Sequence, residues 1–164
     1  MLVRKAVATD VESIHNLIQG FAEQGLMLPR NHRSLYEHLQ DFTVAVIDEK
    51  VVGTAGLHVL WKDLAEVRSL AVSTDQQGLG IGHLLVQATI QEARRMNIAQ
   101  VLSLTYQTEF FRKLGFVLVQ RDSLPHKVWK DCVYCTKFYE CDETALVYYT
   151  RSAVAVQQEF ADKR

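Results

Sequence analysis

Three glycines alternate within a polar loop of this chain. Gln77-Gly78-Leu79-Gly80-Ile81-Gly82-His83 follows the apolar run Leu70-Ala71-Val72 and leads into a segment of helical period. Glycines at every second residue let a backbone turn tightly with its N–H groups facing inward. A helix N-terminus adds unpaired N–H donors and the positive end of the helix dipole. Together these suit a phosphate or pyrophosphate. The alternative is a plain strand-to-helix turn in which small residues permit close packing. Two nucleotide-binding patterns fail on the letters. The dinucleotide fingerprint needs G-x-G-x-x-G, and the P-loop needs G-K-[ST] where this chain has Gly82-His83-Leu84.

A second group of chemically able residues lies near the C-terminus. Cys132, Cys135 and Cys141 follow His126, and Cys3His is an acceptable structural zinc set. The spacing is not a common finger pattern and His126 could serve an acceptor pocket instead, so a thiol cluster without metal is the alternative, and no metal is assigned to catalysis.

The rest of the composition narrows the classes. The chain has 164 residues, 48% hydrophobic and 23% charged, which fits one ordinary globular domain. Lys+Arg is 18 against Asp+Glu 19, for a formal net charge of -1, and no cationic block stands out. A nucleic-acid binder driven by phosphate charge is therefore not expected. No apolar run reaches the ~18–20 residues of a membrane span, and the first residues lack a signal-peptide core. Three cysteines, an odd number, do not suggest a secreted disulfide framework. A cytoplasmic location is the expectation.

These residues must be held by secondary structure, and the pattern predicts it in outline. Strands are expected over Leu2–Val7, Thr43–Ile47, Val51–Trp61, Ala65–Val72, Val101–Leu104, Phe116–Val119 and Ala145–Tyr149. A helix should begin at a Thr9-Asp10-Val11-Glu12 capping box and stop at Gly25. Others are expected over Ser34–Leu39, Ile81–Met96 and Glu109–Leu114, with a turn around Pro125. Residues 1–150 read as one domain, and 151–164 as a C-terminal extension that could be helical. Mixed strands and helices with three consecutive central strands give an α/β or α+β class.

With these elements in place, Gln77-x-x-Gly80-x-Gly82 after Leu70-Ala71-Val72 resembles the acetyl-CoA signature of the GNAT family of N-acetyltransferases. Arg68–Val72 and Phe110-Phe111-Arg112-Lys113-Leu114-Gly115-Phe116 resemble that family's fourth strand and its helix-then-strand segment. The resemblance covers roughly residues 2 to 149. It implies a mixed, mostly antiparallel sheet of six or seven strands, splayed after strand four, with helices on both faces. It also implies that backbone N–H groups from Gly78 to His83 hold the CoA pyrophosphate. The backbone of Leu70, Ala71 and Val72 would pair with the pantetheine arm like an added strand.

Acetyl transfer to an amine needs a proton acceptor, oxyanion stabilisation and a leaving thiolate. The resemblance implies a base on strand four, where Glu66 is the only carboxylate. Glu66, Arg68, Leu70 and Val72 should alternate onto one face, with neighbours about 7 Å apart; an ordinary Glu–Arg pair is the alternative. Phe111 stands where many members carry a tyrosine that protonates the thiolate. Tyr106 is the nearest substitute in sequence, with a packing role as its alternative.

A narrower resemblance concerns the acceptor. Gly25–Arg30, Ala65–Val72, Leu102–Thr105 and Leu124–Trp129 look like N-acetylglutamate synthases of the ArgA type. That implies transfer to the α-amine of L-glutamate, in arginine biosynthesis. Arg30, Arg68 and Lys127 would then orient the two carboxylates, arginine being the better bidentate partner. Each could instead be a solvated surface cation. Two other functions stay open: acetylation of a different small or peptide amine, and a catalytically inactive acetyl-CoA-binding module. No membrane partner is expected, and a homodimer is one option for the assembly.

Overall fold

The computed structural model of the chain describes residues 1–124 and 143–151. Seven strands form one sheet: β1 (Leu2–Lys5), β2 (Phe42–Ile47), β3 (Lys50–Trp61), β4 (Leu64–Val72), β5 (Gln100–Thr105), β6 (Val117–Leu118) and β7 (Thr144–Tyr149). Their spatial order is β1-β2-β3-β4-β5-β7-β6. The helices are α1 (Val11–Ala22), α2 (His32–Glu37), α3 (Ile81–Arg95) and α4 (Thr108–Lys113). No helix among the described residues is long and apolar enough to cross a membrane. The described chain divides into two compact units: Met1–His58 with Val67–Thr89, and Val59–Glu66 with Ile90 onward.

In the first unit, β2 and β3 alternate their residues to two different helical layers. Val44 and Phe42 join Val11, Ile14 and Ile18 of α1 and Leu35 of α2 in one buried cluster. Ala45, one residue on, joins Ala55 with Ile81 and Leu85 of α3 in another. The period of two in the strand and the 3.6-residue period of each helix produce this arrangement. Gly53 permits the close approach of α3. A Cβ built there would lie 2.9 Å from Leu85 Cδ1 and 3.2 Å from Ile81 Cγ2.

The β2–β3 hairpin closes with a two-residue turn, because Ile47 pairs with Lys50. Asp48 and Glu49 both take positive φ, 49° and 64°. That is the primed turn whose twist matches its strands. The expected connection was one residue longer.

The start of α1 differs from the capping-box expectation. Thr9 lies inside a 3-10 turn, Ala8–Asp10, and α1 begins at Val11. The Asp10 carboxylate instead accepts from the Val7 N–H at 2.8 Å and from both terminal nitrogens of Arg4, at 2.7 and 3.1 Å. The charged partner on β1 wins Asp10, and a neutral threonine cap is not used. Likewise α2 begins earlier than expected, because the Asn31 side chain accepts from Ser34 N at 2.8 Å and caps it.

In the second unit, β5 pairs antiparallel with β7 over its whole length, from Gln100↔Tyr149 to Thr105↔Thr144. β4 pairs parallel with β5 over Leu64↔Gln100, Ala65↔Val101 and Glu66↔Leu102. This ladder ends at Glu66, well before β4 does. The core of this unit holds Leu64, Leu102, Ala145 and Val147. β6 is shorter than its predicted span, two residues against β7. The extension expected at 151–164 lies outside the described residues from Ser152 on.

Candidate active site

The glycine loop is built from β4, one 3-10 turn and the first turn of α3. Ser73 N donates to Val52 O at 2.8 Å, which fixes the end of β4 against β3. The chain then turns through Thr74–Gln76. The Gln77 amide nitrogen reaches back to Val72 O at 3.1 Å and ties the loop across its mouth. Gly78 and Gly80 take φ of 80° and 84°, left-handed conformations that glycine adopts without steric cost. A Cβ built on either meets nothing within 4 Å. The space in front of both glycines is therefore open.

α3 starts directly behind this opening. Ile81 is buried at 1% exposure, so its side chain anchors the helix while its backbone faces the loop. The first intrahelical bond closes from Leu84 N to Gly80 O at 3.2 Å. The amides of Ile81 and Gly82 belong to the first turn, where helix geometry supplies no intrahelical acceptor. Leu79, between the glycines, is 67% exposed. A fifteen-residue helix backs this turn with its dipole, and Arg94 and Arg95 occupy its opposite, negative end. Backbone donors, open space and positive potential together fit the diphosphate of a CoA-type ligand without a side-chain cation.

β4 holds the remaining candidate residues, with one feature that the letters did not reveal. Ser69 has φ of 55° in mid-strand. The strict alternation expected for Glu66, Arg68, Leu70 and Val72 therefore fails, because a left-handed residue between Arg68 and Leu70 breaks the pleat. Leu70 and Val72 pack on the α3 cluster, and Ala71 is buried. Glu66 is 5% exposed and forms the last rung of the β4–β5 ladder. A serine in that backbone state has no compositional signal, so sequence reasoning had no means to find it.

Arg30, in the loop before α2, is positioned by a residue of that helix and by an aromatic. Its Nε donates to Ser34 Oγ at 3.0 Å, and its guanidinium lies 5.4 Å from the Phe42 ring centroid. The fork is thus held by two contacts on different elements. Tyr106 follows β5 and is 40% exposed. Phe111 is 4% exposed and meets Phe110 and Phe116 edge-on at 5.0 and 5.1 Å. Its position is occupied by packing and offers no hydroxyl. Lys127, with His126, Cys132, Cys135 and Cys141, lies outside the described residues.

Known proteins carry the same architecture. The Acetyltransferase (GNAT) family model matches residues 10–116. An uncharacterised N-acetyltransferase of Chlorobaculum tepidum is 35% identical over 145 residues, 88% of this chain and 94% of that protein. An amino-acid acetyltransferase of Mycobacterium tuberculosis is 38% identical over 133 residues, 79% of this chain and 76% of that one. The solved N-acetylglutamate synthase of Neisseria gonorrhoeae, complexed with coenzyme A and N-acetyl-glutamate, superimposes with a TM-score of 0.83 at 30% identity. That match covers 92% of this chain and 35% of the synthase, so the chain spans about a third of that relative's length. The open glycine cradle at the head of α3, the β4–β5 ladder that ends at Glu66 and the family match agree: the chain belongs to the GNAT family and is an acetyl-CoA-dependent N-acetyltransferase.

Proposed function

We propose that the acceptor is the α-amine of L-glutamate and that the product is N-acetylglutamate. The observation that carries this reading is the 0.83 TM-score to a synthase holding N-acetyl-glutamate, over nearly the whole of this chain. The cations add chemical support. Arg30 is pre-oriented by Ser34 and Phe42, and Arg68 sits on the strand that carries Glu66. With Lys127 they would answer the two carboxylates of the substrate.

In this reading the pyrophosphate rests on the amides from Gly78 to His83, and the pantetheine arm runs along Leu70–Val72. Glu66 accepts the proton of the substrate ammonium, directly or through water. The free amine attacks the thioester carbonyl, and a backbone N–H near the Ser69 distortion stabilises the oxyanion. The C–S bond then breaks. The thiolate leaves as such or takes a proton from Tyr106, since Phe111 has none to give, and the extra proton on the acylated nitrogen passes to water or back to the tyrosinate.

Thiol release measured across an amino-acid panel tests the acceptor. Glutamate should exceed glutamine by about 30-fold or more in kcat/KM, the discrimination expected when a partly desolvated cation loses its charged partner. Arg68→Ala should raise the glutamate KM and leave acetyl-CoA affinity nearly intact. Equal turnover of glutamate and glutamine would reject this acceptor while leaving the acetyltransferase standing.

A further inference from the structure

Outside this site, two helices of the first unit bring three metal-ligating side chains together. Glu12 and His15 are one turn apart on α1, and His32 is the first residue of α2. Each offers one ligand atom, and the three atoms lie within 4.8 Å of one another. His32 Nε2 is 2.9 Å from Glu12 Oε2. The His15 and His32 rings stack with centroids 4.0 Å apart. Nothing in the acetyl-transfer reading uses any of these residues.

We propose that Glu12, His15 and His32 form a binding site for a divalent transition-metal ion of the Zn2+, Co2+ or Ni2+ class. The donor set selects that class. Two imidazoles and one carboxylate suit borderline ions, whereas Mg2+ and Ca2+ prefer an all-oxygen shell. A second observation is independent of the spacing. His15 Nδ1 is buried without a hydrogen-bond partner, on a ring stacked against that of His32. A ring nitrogen in that state gains a partner either at Nδ1 itself or through the reorientation that ligation at Nε2 brings.

The adjustment needed falls on exposed side chains. Two ligand atoms on a tetrahedral zinc ion sit roughly 3.3 Å apart, from metal–ligand bonds of about 2.0–2.1 Å. The Glu12–His32 pair must open by a few tenths of an ångström, and His15 must be approached by the other two. Glu12 and His32 have side chains 70% and 46% exposed, so their rotamers can move. His15 rides on a helix pinned by Ile14 and Ile18, both fully buried. The stacked rings must fan apart so that both lone pairs meet one ion. A His32 tautomer protonated at Nδ1 presents Nε2 to it. One or more waters complete the shell.

Ligation would tie the first turn of α2 to α1. The connection between them, residues 23–31, includes Arg30, so metal would order the segment that carries this cation. That consequence goes beyond the acceptor assignment, and the site itself does not depend on it.

The test uses the untagged full chain, dialysed free of metal, titrated with Co2+. Absorption separates this site from the cysteines, because thiolate ligation gives an intense near-ultraviolet charge-transfer band and imidazole–carboxylate ligation does not. We expect one Co2+ bound with d–d absorption and no thiolate band, in a variant with Cys132, Cys135 and Cys141 all changed to Ser. In that background His15→Ala and His32→Ala should each weaken binding at least tenfold. His32 is exposed, so His32→Ala is expected to fold, and its metal-free melting temperature checks this. Metal should also raise the melting temperature of the cysteine-free chain and not that of its His32→Ala form. Cobalt affinity unchanged by either histidine substitution, or absent from the cysteine-free chain, would overturn the proposal and leave a stacked histidine pair of which His32 bonds Glu12.

Discussion

At the scale of single residues, two buried carboxylates do opposite work. Asp10 is 6% exposed and fully engaged by Arg4 and the Val7 N–H. The Arg4 hydrogen bonds hold its pKa below the ordinary carboxylate value of 3.8, with the Val7 bond adding to them against burial. A carboxyl group whose pKa is lower folded than unfolded contributes stability that is complete above the unfolded value. That stability is lost as pH falls through the folded value. Asp10→Asn should therefore cost about 1.5–3 kcal/mol near neutral pH, the range for a hydrogen bond to a charged group. The difference from the parent should shrink below about pH 4, and urea melts at pH 7 and pH 3 would show it. Glu66, by contrast, is proposed to exchange its proton in each turnover. Glu66→Gln should lower the rate most near neutral pH and less at high pH, where the amine deprotonates unaided. A pH–rate profile of unchanged shape would remove Glu66 from the mechanism.

At the scale of elements, what was legible in the letters was what periodicity encodes. Ile81, Leu85 and the glycines before them announce α3 and its loop, because a 3.6-residue apolar stripe and φ-permissive residues are local signals. Gly115 is local in the same sense. It takes φ of 97° at the end of α4, and the Phe116 N–H closes back to Phe111 O at 3.1 Å. What was not legible depends on partners distant in sequence. Asp10, not Thr9, takes the cap position of α1, and its carboxylate is held by Arg4 on another element, while Ser69 is left-handed in mid-strand. The candidate cations divide in the same way. Arg30 is identified by its cationic chemistry, but its orientation by Phe42 appears only once β2 is in place. The β2–β3 hairpin shows a local preference overridden. Asp48 and Glu49 hold φ of 49° and 64°, where L-residues other than Asn and Asp are strained, so the strain falls on Glu49. Replacing them with Asn-Gly should relieve about 1 kcal/mol or more and raise the melting temperature by roughly 2–4 °C for a chain of this size. The gain should appear without any change in acetyl-CoA affinity, since the hairpin is not among the residues of the glycine loop.

At the scale of the whole molecule, ligand binding and stability are one equilibrium. A ligand that binds the folded chain alone stabilises it by RT ln(1 + [L]/Kd), about 2.7 kcal/mol at a hundredfold excess over Kd. For a chain of 164 residues that corresponds to a melting-temperature rise of roughly 5–10 °C with acetyl-CoA. The glycine loop makes this shift sensitive to one position. Gly80 sits at φ of 84° with open space where a Cβ would lie. Any L-residue there pays a backbone cost of about 1–2 kcal/mol, so Gly80→Ala and Gly80→Asp should both melt a few degrees lower without ligand. They should part company when acetyl-CoA is added. Aspartate places a carboxylate where the diphosphate is proposed to lie, and like charges at short range oppose each other strongly once water is excluded. Gly80→Ala should keep part of the ligand-induced rise, and Gly80→Asp should keep almost none. The alanine variant thus separates strain in the fold from exclusion of the phosphate. An aspartate variant stabilised as much as the parent would move the diphosphate away from this loop.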